Sequence, residues 1–344
     1  MKNIFILFDC PLKTCDKLWL YTYSKKYGNV KAFGVCKKTS KLELFIPKLR
    51  IGKLLTVVLF LFQCIQVLFV SKKNDLIIAW NYKQGLILSE LCQKFKISRY
   101  IVSFNWIFVP KLRRNKVLNA LHNENFIPVI NSRKLENEIS LEFNLEKWNG
   151  FFIPDTYNDS DSFYSPQVMQ EKYVFAGGRN NRDWNILFES AEKLPNVKFK
   201  IVISKEELSI FKDLERHQLK NLELYNEISE TDYYQLLRNS YLVVCPLKED
   251  RVSGLINIIK AFQYGKVCIS TNLGAASLYY PDSLKKKLLY ENNNLKDCIE
   301  YWWNISSERY IENAIKLQEY LVSEFSPEVL VDNLFDELKK RGWL

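Results

Sequence analysis

Histidine is nearly absent from this 344-residue chain, with His122 and His217 alone, and neither stands beside residues at metal-ligand spacing. Eight cysteines (Cys10, Cys15, Cys36, Cys64, Cys92, Cys245, Cys268 and Cys298) include no C-x-x-C pair, so the usual zinc frameworks are excluded. The chain has no G-x-S-x-G elbow and no H-E-x-x-H helix, which leaves hydrolase and zinc-protease chemistry unsupported. It also lacks the G-x-G-x-x-G dinucleotide fingerprint and the G-x-x-x-x-G-K-[ST] phosphate loop. The opening run MKNIFILFD is too short for a secretory leader and ends in Asp9, so it reads as a first strand. Several cysteines lie inside apolar runs, where a free thiol behaves as a small hydrophobe; this suits a reducing compartment, the cytoplasm.

What is present is a globular composition, 47% hydrophobic and 26% charged, with charge divided unequally. Residues 1–150 hold 25 basic and 10 acidic side chains, a net +15, and residues 151–344 hold 24 and 29, a net −5. Such asymmetry points to an anionic partner for the first half, although charge runs are also commonly just solvated surface. An anionic membrane surface fits better than nucleic acid, because no recognition helix or nucleic-acid motif gathers the basic residues. Basic stretches run through Lys37, Lys38, Lys41, Lys48, Arg50 and Lys53, and again through Lys111, Arg113, Arg114 and Lys116. The most apolar run, Leu54–Val70, is at the lower length limit for crossing a bilayer. Thr56, Gln63 and Gln66 share one face of it, and Lys53, Lys72 and Lys73 flank its ends; a buried helix and an interfacial helix are both compatible with it.

Along the chain, short apolar runs alternate with stretches of helical periodicity. Strands are expected at Asn3–Asp9, Val30–Val35, Asp75–Trp80, Tyr100–Phe104, Phe126–Asn131 and Phe151–Ile153, with helices at Asp16–Tyr27, Gln84–Phe95 and Arg133–Phe143. The polar, aperiodic stretch Asp155–Gln167 marks a domain boundary. A second series follows: strands at Tyr173–Ala176, Lys198–Ile203, Leu222–Leu224, Leu242–Cys245 and Val267–Ser270, with helices at Ile186–Lys193, Glu206–Arg216, Glu230–Asn239 and Leu255–Tyr264. Two tail helices, Glu308–Glu324 and Glu328–Lys340, end the chain. The expected class is α/β with parallel sheets covered on both faces. The expected domains are 1–160, 168–320 and a terminal helix over 321–344.

Two turns carry the candidate chemistry. Gly177-Gly178-Arg179-Asn180-Asn181-Arg182 follows a strand and precedes a helix; its glycines let the backbone approach an anion, and forked guanidinium groups match a diphosphate. A tight turn with two solvated arginines has the same spelling. Lys248-Glu249-Asp250-Arg251-Val252-Ser253-Gly254-Leu255 joins a Val-rich strand to a helix closed by Gly265, and a Ser-Gly turn at a helix N-terminus offers free N–H groups to a phosphate. An ordinary βαβ unit has this outline too.

Taken together, FAGGRNNRDWNILFESAEKL and NLELYNEISETDYYQLLRNSYLVVCPLKEDRVSGLINIIKAFQYGKVCIST resemble the donor half of the retaining GT-B glycosyltransferases of the family 4 type. VINSRKLENEISLEFNLEKWNGFFIP is similar to the last strand–helix–strand of their first domain. The resemblance implies two Rossmann-like domains facing across a cleft, the first on the acceptor side and the second holding a nucleotide-sugar, with the last helix crossing back to the first domain. It implies transfer from a nucleotide-sugar, a UDP-sugar above all, to a glycan or lipid-linked glycan in bacterial surface polysaccharide synthesis, at the cytoplasmic face of the inner membrane. Neither a metal nor another cofactor is implied. On this match Arg179 and Arg182 hold phosphates, Gly177, Gly178, Ser253, Gly254 and Leu255 line the donor, and Glu249 or Asp250 holds sugar hydroxyls. The family's second glutamate falls on Lys260, which donates but cannot accept hydrogen bonds from a ribose. A non-catalytic scaffold of the same fold, a partner in a glycan-assembly complex, is the alternative that Lys260 raises.

Overall fold

The computed structural model describes residues 2–15, 18–34, 51–106, 114–158, 162–169, 171–207, 219–251, 254–291 and 294–344. The basic run from Lys37 to Arg50, Lys111, Arg113, His217, Ser253 and most of the helix expected at Glu206–Arg216 lie outside these residues, as does the side chain of Lys53. The chain forms two compact units, Met1–Pro154 with Pro327–Leu344, and Asp155–Ser326.

In the first unit, strand β1 (Asn3–Leu7) leads into the short helix α1 (Leu12–Cys15) and helix α2 (Trp19–Ser24). The one helix expected over Asp16–Tyr27 is interrupted because Leu18 is extended and starts α2 afresh. There follow β2 (Asn29–Phe33), α3 (Ile51–Val70), β3 (Leu76–Ala79), α4 (Tyr82–Phe95), β4 (Tyr100–Trp106), α5 (Arg114–Leu121), β5 (Phe126–Ile130), α6 (Arg133–Phe143) and β6 (Phe151–Phe152). All six strands are parallel, in the order β2-β1-β3-β4-β5-β6. Strands β3 and β5 are buried along their whole length, which is why they read as unbroken apolar runs. Helix α4 starts two residues before its expected position: Asn81 caps it, accepting from Lys83 N at 3.1 Å, and Gln84 Oε1 accepts from Asn81 N at 3.0 Å.

Helix α3 packs on the sheet through Phe60, Cys64 and Val67, and Gln63 goes inward with them while Gln66 stays exposed. Gln63 Nε2 donates to the carbonyls of Phe8 (3.1 Å) and Phe33 (2.5 Å), and Gln63 Oε1 accepts from Gln84 Nε2 (2.6 Å). A buried amide so satisfied fixes the helix over the ends of β1 and β2. No helix among the described residues is long and apolar enough to cross a membrane.

The second unit runs β7 (Val174–Gly178), α7 (Trp184–Lys193), β8 (Phe199–Ile203), β9 (Leu222–Asn226), α8 (Glu230–Asn239), β10 (Leu242–Cys245), α9 (Ile256–Gln263), β11 (Val267–Thr271), α10 (Gly274–Ser277), α11 (Asp282–Leu288), β12 (Leu289–Tyr290), α12 (Leu295–Trp303) and α13 (Ser307–Phe325). Its strands are parallel too, in the order β12-β11-β10-β7-β8-β9. Asp183 and Ser229 cap α7 and α8, and Gly265 (φ 66°) ends α9. The segments α10 to α12 have no counterpart in the sequence reading; α10 and α11, four and seven residues long, are too brief to show a clear period.

The last helix, α14 (Pro327–Lys340), starts on a proline at its first position, which needs no N–H there. It belongs to the first unit, where Val331, Leu334, Phe335 and Leu338 join the core and Tyr27 stacks on Phe335 at 4.2 Å. The chain thus returns to the first unit at Pro327, six residues beyond the expected start of the terminal helix at 321.

Candidate functional site

In an open parallel sheet, ligands bind beyond the carboxyl ends of the strands where the strand order reverses. In the second unit that point lies between β7, which is followed outward by β8 and β9, and β10, which is followed by β11 and β12. Both motif-bearing turns leave from these two strands. They are stitched together: Arg182 and Leu247 form an antiparallel bridge, Asp183 N donates to the Pro246 carbonyl (2.7 Å), and Asn181 and Glu249 exchange two bonds of 2.9 Å.

Arg182 sits at the centre of this arrangement and is 2% exposed. Its Nε donates to the Gly177 carbonyl (3.0 Å), Nη1 to those of Asn180 (3.2 Å) and Asn181 (3.5 Å), and Nη2 to that of Gly254 (3.3 Å). Gly178 (φ 147°) and Gly254 (φ 98°) press against the guanidinium; a Cβ would come within 2.8 Å of Nε at the first and 1.9 Å of Nη1 at the second. Arg182 therefore pins one turn to the other. No carboxylate among the described residues lies within ion-pair distance of it, so its charge is compensated only by carbonyl dipoles. Its positive field reaches the core: the Cys245 thiol is lowered by the Cys268 S–H donating to it and further by Arg182. The Tyr233 phenol is raised by burial, with Arg182 opposing.

The other expected residues divide. Arg179 is exposed, close enough to Glu206 to help lower that carboxyl, whose own backbone N–H and Ser204 do most of the lowering. Glu249 is exposed and paired with Arg251 Nε at 2.7 Å. Asp250 turns the other way, with Oδ1 accepting from Ala275 N at 2.7 Å, so it anchors the loop to the start of α10. Leu255 is buried at the head of α9. Lys260 lies inside, its ammonium donating to Gln263 Oε1 (3.1 Å) and lying over the rings of Tyr234 and Tyr264. The structure thus brings Gly177, Gly178, Arg182, Glu249, Asp250 and Gly254 to one place, with Arg179 on the same turn and Lys260 one helical turn deeper than Asn257.

Several participants carry no sequence signal. Asn257 Nδ2 donates to the Gly177 carbonyl (2.8 Å) and the Tyr233 hydroxyl (2.6 Å), holding α9 and α8 against the first turn. Thr271 Oγ1 donates to the Leu247 carbonyl (3.0 Å) and accepts from Leu247 N (2.8 Å), clamping the loop from the β11 side. Among the described residues no three or more His, Cys, Asp or Glu side chains gather as a metal site.

Two parallel six-stranded sheets with interleaved helices define the α/β GT-B fold, and comparison with solved structures agrees. Anabaena HepE in complex with UDP-glucose is similar over 99% of this chain and 100% of its own, with 14% identity and a TM-score of 0.64. The lipopolysaccharide outer core galactosyltransferase WaaB is similar over 99% and 100%, with 13% identity and a TM-score of 0.59. S. aureus TarM, solved with UDP, matches 82% of this chain at 16% identity and a TM-score of 0.59; the chain spans 58% of TarM's length. No protein-family model and no curated protein sequence matches the chain.

Proposed function

We propose that this protein is a glycosyltransferase that moves a sugar from a UDP-sugar to a glycan acceptor. The observation that carries the reading is Arg182: a buried, permanently charged group with no acidic partner among the described residues, set between two strand-to-helix turns at the reversal of the sheet. Burying a charge unpaired is costly, and an anion beside the turns offsets that cost. A diphosphate supplies it. In this reading Arg182, its N–H groups largely spent on carbonyls of the two turns, sets their spacing and lends them its charge, and the helix-start N–H groups near Gly254 and Leu255 hold the leaving diphosphate in place. Arg179, exposed at the lip, adds a mobile positive charge. Fixed donors of this kind stabilise the charge that grows on the leaving group without reorganising as the bond breaks, so the transfer is assigned as metal-independent. Glu249, acceptor-only and exposed, takes sugar hydroxyls. Retention of configuration follows the family resemblance.

The acceptor is assigned as a lipid-linked glycan of surface polysaccharide synthesis, met at the cytoplasmic face of an anionic membrane. The first unit supports the membrane contact. Phe62, Phe69 and Phe95 are 61%, 85% and 60% exposed, and Lys72, Lys73, Lys94 and Lys96 are exposed beside the ends of α3 and α4. Those ends are tied together, since Arg99 donates through Nε to Ser71 Oγ (2.8 Å) and through Nη2 to its carbonyl (2.6 Å). Aromatic side chains rimmed by lysines suit an anionic interface.

A titration of the full chain with UDP and with UDP- and GDP-sugars, read by thermal shift, tests the donor. At a hundred times its Kd a donor stabilises by about 2.7 kcal/mol. Binding without turnover towards any acceptor would favour the scaffold alternative, which Lys260 supports by lying among Tyr234, Tyr264 and Gln263 where the family places a glutamate.

A further inference from the structure

The first unit repeats the topological condition that marks the donor site. Its strand order reverses between β1 and β3, so a ligand is expected beyond the ends of these two strands. Asp9 follows β1, Trp80 and Asn81 follow β3, and Trp19 opens α2 at the same edge. The Trp80 ring lies on Phe104 (centroids 5.5 Å apart, planes at 20°), touches Phe8 (5.9 Å), and meets Trp19 edge-on at 5.8 Å and 73°. Both indoles are half-buried, and neither indole N–H has a hydrogen-bond partner among the described residues. Neither N–H is among the buried polar atoms closed off from solvent, so both are open to a ligand. Asp9 Oδ2 accepts from Asn81 Nδ2 at 3.3 Å, and its Oδ1 has no partner among the described residues.

The platform is held in place. The Trp80 carbonyl accepts from Asn105 Nδ2 at 2.6 Å, and Asn105 is left-handed (φ 57°) in a bulge of β4. Asparagine takes that conformation readily, and the bulge re-aims the strand end.

We infer that Trp19, Trp80 and Asp9 form a subsite for a neutral pyranose ring, the acceptor-side sugar of the proposed transfer, on which this inference rests. A pyranose has one apolar C–H face, suited to the indole surface, and a rim of hydroxyls that both donate and accept. The free Asp9 oxygen accepts from that rim, and the unpaired indole N–H groups donate to it. The Asp9 carboxylate repels phosphate at close range, so the platform selects an uncharged ring and not the nucleotide.

The test uses the full chain, with methyl glycosides of glucose, galactose and N-acetylglucosamine as sugar probes and UDP as the donor probe. Binding is followed by saturation-transfer NMR and tryptophan fluorescence. At least one glycoside binds the parent; Asp9→Asn and Trp80→Phe, chosen to keep the packing, each weaken it by about tenfold, the scale of one charged hydrogen bond or one aromatic contact. UDP affinity stays within about twofold, which also reports the fold intact. If UDP binds the parent and no glycoside does, or if glycoside binding survives both variants, the subsite is overturned and the donor reading stands. If UDP affinity falls with Trp80→Phe in step with glycoside affinity, the platform belongs to the nucleotide and the subsite is likewise overturned. If glycosides bind as stated and UDP does not bind the parent, the donor reading falls while the sugar platform remains.

Discussion

Arg182 Nη2 donates to the carbonyl of Gly254 across 3.3 Å, joining residues 72 positions apart. Through this bond and the one to Gly177, a single side chain sets the separation of two turns. Replacing it with lysine keeps the charge but loses the planar fork, so one ammonium cannot satisfy carbonyls on both turns. Arg182→Lys is expected to lower stability by about 1–3 kcal/mol, the cost of buried acceptors left unpaired, as read by urea denaturation. UDP affinity should fall by about tenfold or more, given the strength of charged hydrogen bonds. Unchanged UDP affinity in a folded variant would remove Arg182 from the donor site.

Gly254 and Gly342 separate backbone strain from collision. Both have positive φ, 98° and 72°, but an added Cβ at Gly254 meets Arg182 Nη1 at 1.9 Å whereas at Gly342 it meets nothing within 4 Å. Gly342→Ala should cost only about 1–2 kcal/mol, the left-handed penalty. Gly254→Ala should cost more than that and should also depress UDP binding, because Arg182 has to move. Thermal melts of the two variants side by side decide it; equal losses would mean that the turn yields freely.

Glu249 and Asp250 are neighbours with opposite fates. Glu249→Gln alters an exposed carboxylate paired only with Arg251, so the melting temperature should hold. Turnover should drop by about tenfold to a hundredfold if that carboxylate takes sugar hydroxyls. Asp250→Ala removes the acceptor of Ala275 N and should cost about 1–2 kcal/mol of stability. A melting loss in Glu249→Gln without a rate effect would reverse these roles.

Lys266 gives the protein a pH signature. It is 1% exposed, its Nζ has no hydrogen-bond partner among the described residues, and burial followed by the nearby Arg238 charge lowers its pKa from 10.5 to about 8. The unfolded chain therefore holds this proton between pH 8 and 10.5 while the folded chain has released it. The Lys266 contribution to stability therefore rises with pH across that window, while the buried Cys92 thiol and Tyr241 phenol, raised by burial, contribute the opposite slope. Below it the folded state carries a penalty on the order of 3 kcal/mol. Urea unfolding of the parent and Lys266→Met side by side from pH 7 to 10.5 isolates it: the variant should be more stable at pH 7, and its advantage should shrink as pH rises; an advantage that does not change with pH would refute the shift.

Membrane contact has two separable parts. Exchanging Lys72, Lys73, Lys94 and Lys96 for glutamate should release the protein from anionic vesicles, each lysine contributing about 1 kcal/mol. Phe69→Ser with Phe95→Ser should weaken binding to every vesicle that the parent binds. Sedimentation with neutral and anionic liposomes distinguishes them, and equal binding of the parent to both kinds would sink the electrostatic part.

The alternation of strands and helices was legible because each element is encoded locally. Leu76–Ala79 and Leu242–Cys245 are apolar throughout because both sheet faces are covered, and Gly265 marks a helix end through its own φ. The turn glycines, too, could be picked out from the residues around them. The sequence by itself therefore determined the α/β class, the two series of elements and the turns worth watching.

What only the tertiary structure decided is which side chains share a site and what each one does there. Arg182 reads from the sequence as a phosphate ligand; folding surrounds it with carbonyls and makes it the link between two turns. Gln63 reads as the polar face of an apolar helix, and folding spends it on the carbonyls of Phe8 and Phe33. Asn257 has no motif, and Asp9 lies 72 positions from Asn81. These meetings depend on strand order, with β3 laid beside β1 and β10 beside β7. Periodicity reports the face of one element and carries no information about which element packs against it.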